Sequence, residues 1–373
     1  MLSRQTLLLL SLGAALGCVS EAAAQRTSRV FLGYYAAISE LPIEEIPWAR
    51  LTHACHAFLA VDAEGQMVEN PLVPSQTFTD AAHEHGVTPL LSLGGGKTAE
   101  GLTKLAESDD AIRAFAKKVV EAVVANNYDG VDIDWESPSD QRTMEGLVLL
   151  VKSLRSGLDQ AAAKANRTKS YLLTAAVPPS NHLGKWFDVG AVASRLDWLN
   201  VMCYDMSGPW ERTAGHHAPL FPSQKDPERG WRSVQAAMEY WRKERGVPKE
   251  KLLVGVPMYG RALPVSKVFE PLDPAKRKQH GALSFTRVRE LVGQGWPAMW
   301  DYDAHAPWLR PKEQQDSPLL ICYEDRNSVH DKAEWAAKEG YRGMFFWAIH
   351  QDKMPDGTHW LLRAANKAWP AGN

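Results

Sequence analysis

Eight short apolar runs recur along this chain, and most of the spacings between them are roughly even. The runs cover residues 30–35, 52–61, 87–93, 130–135, 171–177, 198–204, 252–259 and 343–349. Helical patterns lie between them, for example over residues 109–125, 144–163, 233–244 and 329–339, with Ser108 and Ser328 as candidate N-terminal caps. Because apolar strands separated by helices are typical of buried parallel sheets, the pattern predicts an α/β protein with a closed (β/α)8 TIM barrel. An open doubly wound sheet is the alternative, but no glycine-rich phosphate loop follows the first run.

The last spacing is longer than the others and contains several aromatic residues. Residues 262–320 lie between the seventh and eighth runs and include Phe285, Trp296, Trp300 and Trp308. Connections of this length in compact domains usually carry structure of their own. The sequence therefore predicts one domain over residues 25–373, in which a short insertion, residues 262–320, follows the seventh strand.

Acidic and apolar side chains alternate in the fourth run. Residues 129–136 read Asp-Gly-Val-Asp-Ile-Asp-Trp-Glu, and a period of two places Asp132, Asp134 and Glu136 on one face. Carboxylates this close raise one another's pKa, because each negative charge disfavours ionisation of its neighbour. Glu136 comes last, where the strand opens into a loop, so it is the candidate general acid, with Asp134 beside it. A solvated acidic face or a calcium loop is the alternative, but the EF-hand pattern is absent and no spacing suggests a metal site.

Other polar and aromatic residues stand at the ends of the predicted strands. In a barrel of this type the active site lies at the carboxyl ends of the strands. The sixth run ends at Tyr204 and Asp205, Arg261 follows the seventh, and the eighth carries Trp347. These side chains can therefore reach the same mouth as Glu136. Trp347 is either core or a platform for a sugar ring, and Arg261 is either a structural ion-pair partner or a substrate contact.

Composition narrows the classes of ligand. The 373 residues have a formal net charge of −2 and a pI near 6.6, which gives no electrostatic reason to bind nucleic acid or an anionic membrane. The chain also contains 14 Trp. Apolar sugar faces stack on indole rings, so this number favours a carbohydrate ligand, although tryptophan also serves in cores.

The first residues have the features of an export signal. Arg4 precedes an apolar run, and three alanines precede Gln25, so residues 1–24 are predicted to be a signal peptide. Residues 15–18 loosely resemble a lipoprotein signal, which makes a lipid anchor on Cys18 an alternative. No later run is long and apolar enough to span a bilayer. We therefore expect a secreted or periplasmic protein. The other cysteines lie in apolar runs and are predicted to be buried thiols: Cys55, Cys203 and Cys322.

Residues 129–136 resemble the signature of glycoside hydrolase family 18, the chitinases and their relatives, at every diagnostic position. Segments that resemble other parts of this family extend over nearly the whole mature chain: residues 33–35, 51–58, 92–95, 202–205, 208–220, 255–261 and 343–347. The resemblance implies hydrolysis of β-1,4-linked N-acetylglucosamine in chitin or chitooligosaccharides. It implies no cofactor and no metal, and we expect a monomer.

The resemblance also implies a role for each site residue. Glu136 would protonate the leaving oxygen while the substrate's own N-acetyl group attacks the anomeric carbon, a retaining and substrate-assisted mechanism. Asp134 would orient the acetamide, Asp132 would share a proton with Asp134, and Tyr204 would hydrogen-bond the acetamide carbonyl. The substrate-binding positions that the matched segments imply are Tyr34, Phe58, Ser92, Gly95, Met202, Asp205, Arg261 and Trp347.

Two departures from the family pattern concern the leaving-group side of the site. Gly96 and Lys97 stand where many members have Trp, and Ser137 stands where many have an aromatic residue. Both departures remove stacking surface for sugar rings, and the insertion is shorter than that of family members with a deep cleft, which suggests a shallower groove. These differences favour soluble chitooligosaccharides or accessible chitin chains over crystalline chitin as substrates. The alternatives are an endo-β-N-acetylglucosaminidase acting on N-glycans or peptidoglycan, against which residues 208–220 argue, and a chitin-binding lectin, against which Glu136 argues.

Overall fold

The computed structural model describes residues 29–371 except residues 40, 69, 97, 137, 277–280 and 313–318. The predicted signal peptide over residues 1–24, the lipidation site Cys18 and the departures at Lys97 and Ser137 lie outside the described residues. Residues Val30–Pro370 belong to one compact unit. Within the described part of the chain, no helix has the length and apolar character needed to cross a membrane.

Parallel strands close into the predicted barrel. In the described residues they are β1 Val30–Ala36, β2 His53–Leu59, β3 Thr88–Gly94, β4 Gly130–Asp134, β5 Leu172–Val177, β6 Trp198–Val201, β7 Leu252–Pro257 and, last in the chain, β13 Gly343–Trp347. Successive strands pair with one another, and β13 pairs with both β7 and β1, which closes the sheet. The fold prediction is therefore confirmed, and the carboxyl ends of these strands form one rim.

The register of the barrel brings polar side chains from three strands to the same level. Ser92 of β3 lies opposite Asp132 of β4, and Asp132 lies opposite Thr174 of β5. All three residues are fully buried. A polar layer therefore lies inside the barrel, below the rim.

Helices connect the strands, and capping residues mark where several of them begin. Ser108 caps the helix that starts at Asp109, as predicted. The prediction of Ser328 as a cap is wrong. Asp325 is the N-cap there, because its carboxylate accepts two backbone N–H bonds of the first turn while the Ser328 hydroxyl accepts the Asp325 N–H. The described α-helices are Gln76–Glu84, Ala99–Leu105, Asp109–Ala125, Gln141–Lys164, Asn181–Gly184, Val189–Val192, Val234–Glu239, Phe285–Gly293, Arg326–Glu339 and Trp360–Ala368.

The insertion after β7 is an α+β unit. It contains β8 Tyr259–Leu263, β9 Ala282–Ser284, the helix Phe285–Gly293, β10 Ala298–Asp301, β11 Ala306–Leu309 and β12 Leu320–Cys322. Its strands pair antiparallel in the order β10-β11-β12-β8-β9. It begins at Tyr259, before the predicted boundary at residue 262, and has more regular structure than the predicted short elaboration. Because β8 starts two residues after β7 ends, it brings Tyr259 and Arg261 to the barrel rim.

Buried apolar side chains fill both the barrel interior and the layer between strands and helices. Cys55 and Cys203 belong to these buried regions, and Cys322 is buried in a separate cluster that includes Leu263 and Leu320. All three are free thiols in the described chain, as predicted. Burial raises the pKa of Cys203 to about 12, so this thiol remains protonated at physiological pH.

Candidate active site

Asp132 lies inside the barrel on β4 and is fully buried. Its Oδ1 atom accepts hydrogen bonds from Thr174 Oγ1 at 2.6 Å and from Asn200 Nδ2 at 3.0 Å. Its Oδ2 atom accepts hydrogen bonds from Tyr34 Oη and Ser92 Oγ, each at 2.8 Å. Burial raises the pKa of Asp132, and the hydrogen bonds from Thr174, Tyr34 and Ser92 partly offset this by stabilising the ionised form. Asp132 is therefore held in one position beneath the rim.

Asp134 occupies the carboxyl end of β4, and its side chain lines a cavity at the barrel rim. The residue is only 5 % exposed, and its Oδ1 atom is buried without a hydrogen-bond partner among the described residues. Burial, followed by the charges of Glu136 and Asp132, raises the pKa of Asp134 well above its ordinary value. This carboxyl group therefore tends to hold a proton and has an oxygen that a ligand could satisfy.

Glu136 lies in the loop two residues after β4 ends, and it lines the same cavity. Its side chain is half-buried. Burial and the negative charge of Asp205 raise the pKa of Glu136 above its ordinary value. A carboxyl group that keeps its proton to higher pH than a free glutamate is suited to general acid catalysis near neutrality.

Asp205 and Arg261 form a two-pronged ion pair in the cavity wall. Arg261 Nε is 2.7 Å from Asp205 Oδ1, and Arg261 Nη2 is 2.5 Å from Asp205 Oδ2. Burial alone would raise the pKa of Asp205, but the neighbouring His217 and Arg261 outweigh it and hold this pKa well below the ordinary value. His217 Nδ1 lies 3.6 Å from Asp205 Oδ1, beyond normal hydrogen-bond reach, so Arg261 is the direct partner. Arg261 is thus both an ion-pair partner and part of the cavity lining.

The cavity has a volume of about 670 Å³, within the range of small-ligand sites. Aromatic rings form part of its wall. Phe58 and Trp347 stack with ring centroids 5.3 Å apart and planes 26° apart, and the ring of Tyr204 meets Tyr259 edge to face. The structure brings most of the predicted site residues to this cavity: Phe58, Gly95, Asp134, Glu136, Met202, Tyr204, Asp205, Arg261 and Trp347.

Two predicted substrate-binding residues lie beneath the cavity instead of in its wall. Tyr34 is 1 % exposed and Ser92 is fully buried, and both donate hydrogen bonds to Asp132. Their position differs from the predicted substrate contact, because the barrel register points both side chains into the interior. Gly95 is in the wall, with φ of +84°, and a Cβ there would lie 2.6 Å from the ring of Phe58. Glycine therefore allows Phe58 to pack against this turn.

Sequence reasoning missed two of the residues that surround Asp132, namely Thr174 and Asn200. Each is a polar residue within an apolar barrel strand, and each is fully buried. A buried polar group needs a hydrogen-bond partner, so a lone polar residue in an apolar run is a usable signal. Asn200 also donates to Tyr34 Oη at 3.0 Å and accepts from Trp198 Nε1 at 3.1 Å.

Comparison with known proteins shows which family the chain belongs to. Residues 30–352 match the model of glycosyl hydrolases family 18. A class V chitinase from Arabidopsis thaliana is 28% identical over 353 residues, covering 91% of this chain and 89% of that protein. A class V chitinase from Nicotiana tobaccum, solved in complex with NAG4, has a TM-score of 0.80 at 25% identity and covers 92% of this chain and 99% of its own.

A family 18 N-acetylglucosaminidase from Paenibacillus barengoltzii is also similar. Its TM-score is 0.78 at 28% identity, with 91% of this chain and 99% of that chain covered. The family match begins at β1 and ends beyond β13, so it includes the barrel strands and the residues that line the cavity. The chain therefore belongs to glycosyl hydrolases family 18.

Proposed function

We propose that this protein is a chitinase-like hydrolase that cleaves β-1,4-linked N-acetylglucosamine polymers or oligomers, with Glu136 as acid and base. One observation carries the proposal: Asp134 has a raised pKa and a buried, unpartnered oxygen in a cavity that Glu136 also lines. An N–H donor on the substrate would satisfy this oxygen, and the acetamide of N-acetylglucosamine has one.

In the first proposed step, the Glu136 carboxyl group gives its proton to the glycosidic oxygen. The C1–O bond breaks, and its electron pair leaves with the departing sugar alcohol. The carbonyl oxygen of the acetamide on the same sugar forms a new bond to C1 from the opposite face, which yields a cyclic oxazolinium ion. Asp134 would stabilise this positive charge and orient the acetamide N–H.

In the second proposed step, the ionised Glu136 takes a proton from a water molecule that attacks C1. The bond between C1 and the acetamide oxygen breaks, and its electron pair returns to the acetamide. Two inversions at C1 leave the product with the β configuration. Glu136 is protonated again and ready for the next cycle.

Tyr204 and Trp347 would hold the reacting sugar. Burial raises the pKa of Tyr204 well above its ordinary value, so its hydroxyl stays protonated and can donate a hydrogen bond to the acetamide carbonyl. Trp347 packs against Phe58 and offers a flat apolar surface on which a sugar ring could stack. Asp132, held by its four donors, would share the proton of Asp134 as charge develops.

Several relatives support the substrate class. Two structures similar to this chain at 25% identity are plant class V chitinases in complex with NAG4 and with (GlcNAc)3. Gly96 leaves little stacking surface beside Glu136, which favours soluble chitooligosaccharides or accessible chains as substrates. We further propose that residues 1–24 direct export, so that the enzyme acts outside the cytoplasm. We also propose that it acts as a monomer.

Time-resolved NMR of chitotetraose digestion tests the proposal. The wild-type protein should release new reducing ends as the β-anomer before mutarotation, and Glu136→Gln should lower the rate at least about a hundredfold. Glu145→Gln changes an exposed glutamate on the helix Gln141–Lys164 and is the matched control, with an unchanged rate expected.

The products also separate the alternative functions. Release of monomer from one end would indicate an N-acetylglucosaminidase, as the similar Paenibacillus barengoltzii protein is. Cleavage of a high-mannose glycopeptide or of peptidoglycan, but not of chitotetraose, would assign the endo-β-N-acetylglucosaminidase activity instead. Binding of chitotetraose without cleavage by the wild type would indicate a lectin and refute the assigned role of Glu136.

A further inference from the structure

A second cavity lies on the outside of the barrel, between the helices Arg326–Glu339 and Trp360–Ala368. Its volume is about 450 Å³, and none of its lining residues belongs to the cavity that holds Glu136. Cationic and titratable side chains dominate its lining, and no carboxylate is among them. The residues that define this basic groove are Arg326, His330, Trp360, Arg363 and Lys367.

The charges of the basic groove are arranged unfavourably for stability alone. Arg363 and Lys367 are four residues apart on the helix Trp360–Ala368, and Arg326 lines the same cavity from the other helix. His330 also lines the cavity, but its Nδ1 atom lies 3.7 Å from the Asp331 carboxylate. Side chains at this spacing lie on the same helix face, about 5–6 Å apart, and like charges there repel. Among the described residues, none of Arg326, Arg363 and Lys367 forms an ion pair with a carboxylate. An anion bound in the groove would relieve this repulsion.

Trp360 orders Arg326 of the groove, and Arg289, which lies outside the groove lining, packs against the same ring. The guanidinium of Arg326 lies 4.6 Å from the centroid of the indole ring, and that of Arg289 lies 5.2 Å from it. Trp360 Nε1 donates a hydrogen bond to Thr358 Oγ1 at 2.9 Å, which fixes the ring. Stacking on an aromatic ring orders a guanidinium without neutralising it, so Arg326 keeps its full charge for a ligand. The Nε atom of Arg289 is buried without a hydrogen-bond partner in the described chain.

We propose that the basic groove binds an acidic oligosaccharide, a carbohydrate whose sugar units carry sulfate or carboxylate groups. Cations that come from two helices, Arg326 from one and Arg363 and Lys367 from the other, match anionic groups repeated along a chain better than they match a single ion. Arginine is suited to both kinds of oxyanion. A cavity of about 450 Å³ has the size of a small-ligand site, not of a surface for duplex nucleic acid. The net charge of −2 also supplies no broad basic field for nucleic acid or membrane.

The backbone at the start of the helix Arg326–Glu339 does not supply the site. The Asp325 carboxylate already accepts the N–H bonds of Asn327 and Ser328, and its negative charge disfavours an anion at that end of the helix. Binding therefore depends on the side chains, and removing their charges should remove it. The basic groove shares no lining residue with the catalytic cavity, so binding there can be tested independently of chitin hydrolysis.

Isothermal titration calorimetry of the full chain at low ionic strength tests the inference. The probes are a sulfated heparin-derived tetrasaccharide, an oligogalacturonate of similar length and a neutral dextran oligomer of similar length. At least one acidic probe should bind, and added salt should weaken the binding because the groove is exposed. The triple variant Arg326→Gln/Arg363→Gln/Lys367→Gln should bind at least about tenfold more weakly, since three exposed charge contacts are lost.

A second triple variant controls for the change in net charge. Lys118→Gln/Lys152→Gln/Lys164→Gln removes three exposed cations from the helices Asp109–Ala125 and Gln141–Lys164 and should bind like the wild type. The groove variant should keep the wild-type rate on chitotetraose and should melt cooperatively at a temperature no lower than that of the wild type, because removing like charges relieves their repulsion. These two results would show that the variant is folded. The proposal is refuted if neither acidic probe binds, if dextran binds as tightly as the acidic probes, or if both triple variants lose the same amount of affinity.

Discussion

Gly96 packs directly against the carboxylate of Glu136. A Cβ atom placed on Gly96 would lie 3.3 Å from Glu136 Oε1 and 3.4 Å from Oε2. This contact is tighter than most Cβ atoms make, so either the turn or the glutamate would have to shift by a few tenths of an ångström. The position of the proposed general acid is therefore coupled to the absence of a side chain at residue 96.

We expect Gly96→Ala to lower kcat on chitotetraose about three- to tenfold, because small displacements of a catalytic group are costly in rate. Steady-state kinetics measure the effect. Gly230→Ala is the matched control, since a Cβ at Gly230 would have no atom within 4 Å, and its kcat should not change. An unaltered kcat in Gly96→Ala would mean that Glu136 tolerates the contact.

Asp205→Asn should move the basic limb of the pH profile to lower pH. Burial and the negative charge of Asp205 raise the pKa of Glu136, and the proposed mechanism needs Glu136 protonated. Without the Asp205 charge the pKa of Glu136 falls, so the acid form is lost at lower pH. The basic limb of kcat/KM against pH reports this pKa in the free enzyme.

Asp301→Asn is the control for that profile. Asp301 is another carboxylate with a depressed pKa, about 2, and it contacts His216. Its charge is not among the causes that raise the pKa of Glu136. Its basic limb should coincide with that of the wild type. If the basic limb shifted by the same amount in both variants, the cause would be the general loss of negative charge and not the electrostatic interaction between Asp205 and Glu136.

Arg261→Met should destabilise the protein by about 1–2 kcal/mol near pH 7, because it leaves the partly buried Asp205 carboxylate without its direct partner. The Asp205 side chain is 33% exposed, so solvent screening limits the loss. The folded-state pKa of Asp205 is depressed, so the stabilising contribution is present above the unfolded pKa of about 4 and is lost as the pH falls toward the folded value.

The difference in unfolding free energy between wild type and Arg261→Met should therefore be the same near pH 7 and pH 5, and should shrink below about pH 4. Urea unfolding at several pH values measures it. Arg287→Met removes an arginine whose ion pair with Glu290 is half-exposed on both sides, and should cost less than about 0.5 kcal/mol. A difference for Arg261→Met that does not change with pH would point to lost packing.

Thr174→Val should destabilise the protein more than Thr79→Val, although both threonines are fully buried. Thr174 donates to the Asp132 carboxylate at 2.6 Å, whereas Thr79 donates to the neutral carbonyl oxygens of Gln76 and Asn126. Valine keeps the shape of threonine and removes the donor. We expect losses of about 2 kcal/mol and about 1 kcal/mol respectively, measured by urea unfolding. Equal losses of unfolding free energy would mean that the hydrogen bond from Thr174 to Asp132 stabilises the fold no more than a hydrogen bond to a neutral carbonyl.

Local patterns allowed much of the fold to be predicted. Strand periodicity and helix signals led to the barrel, and the position of the acids in the fourth run led to Asp134 and Glu136 at its rim. Predictions were less accurate where two nearby residues are both suitable capping residues. Ser328 and Asp325 can both begin the same helix, and the structure uses both, one as cap and the other as its reciprocal partner.

The sequence by itself determined the barrel and its row of acids, because the period of side chains along a strand is a local property of the backbone. Only the tertiary structure decided which residues surround those acids. Asn200 and Tyr34 meet 166 positions apart in the chain, and Tyr34 meets Asp132 across 98 positions. Such contacts follow from the register in which the barrel closes. No local pattern encodes that register, and for this reason the sequence does not reveal that Tyr34 lies beneath the cavity.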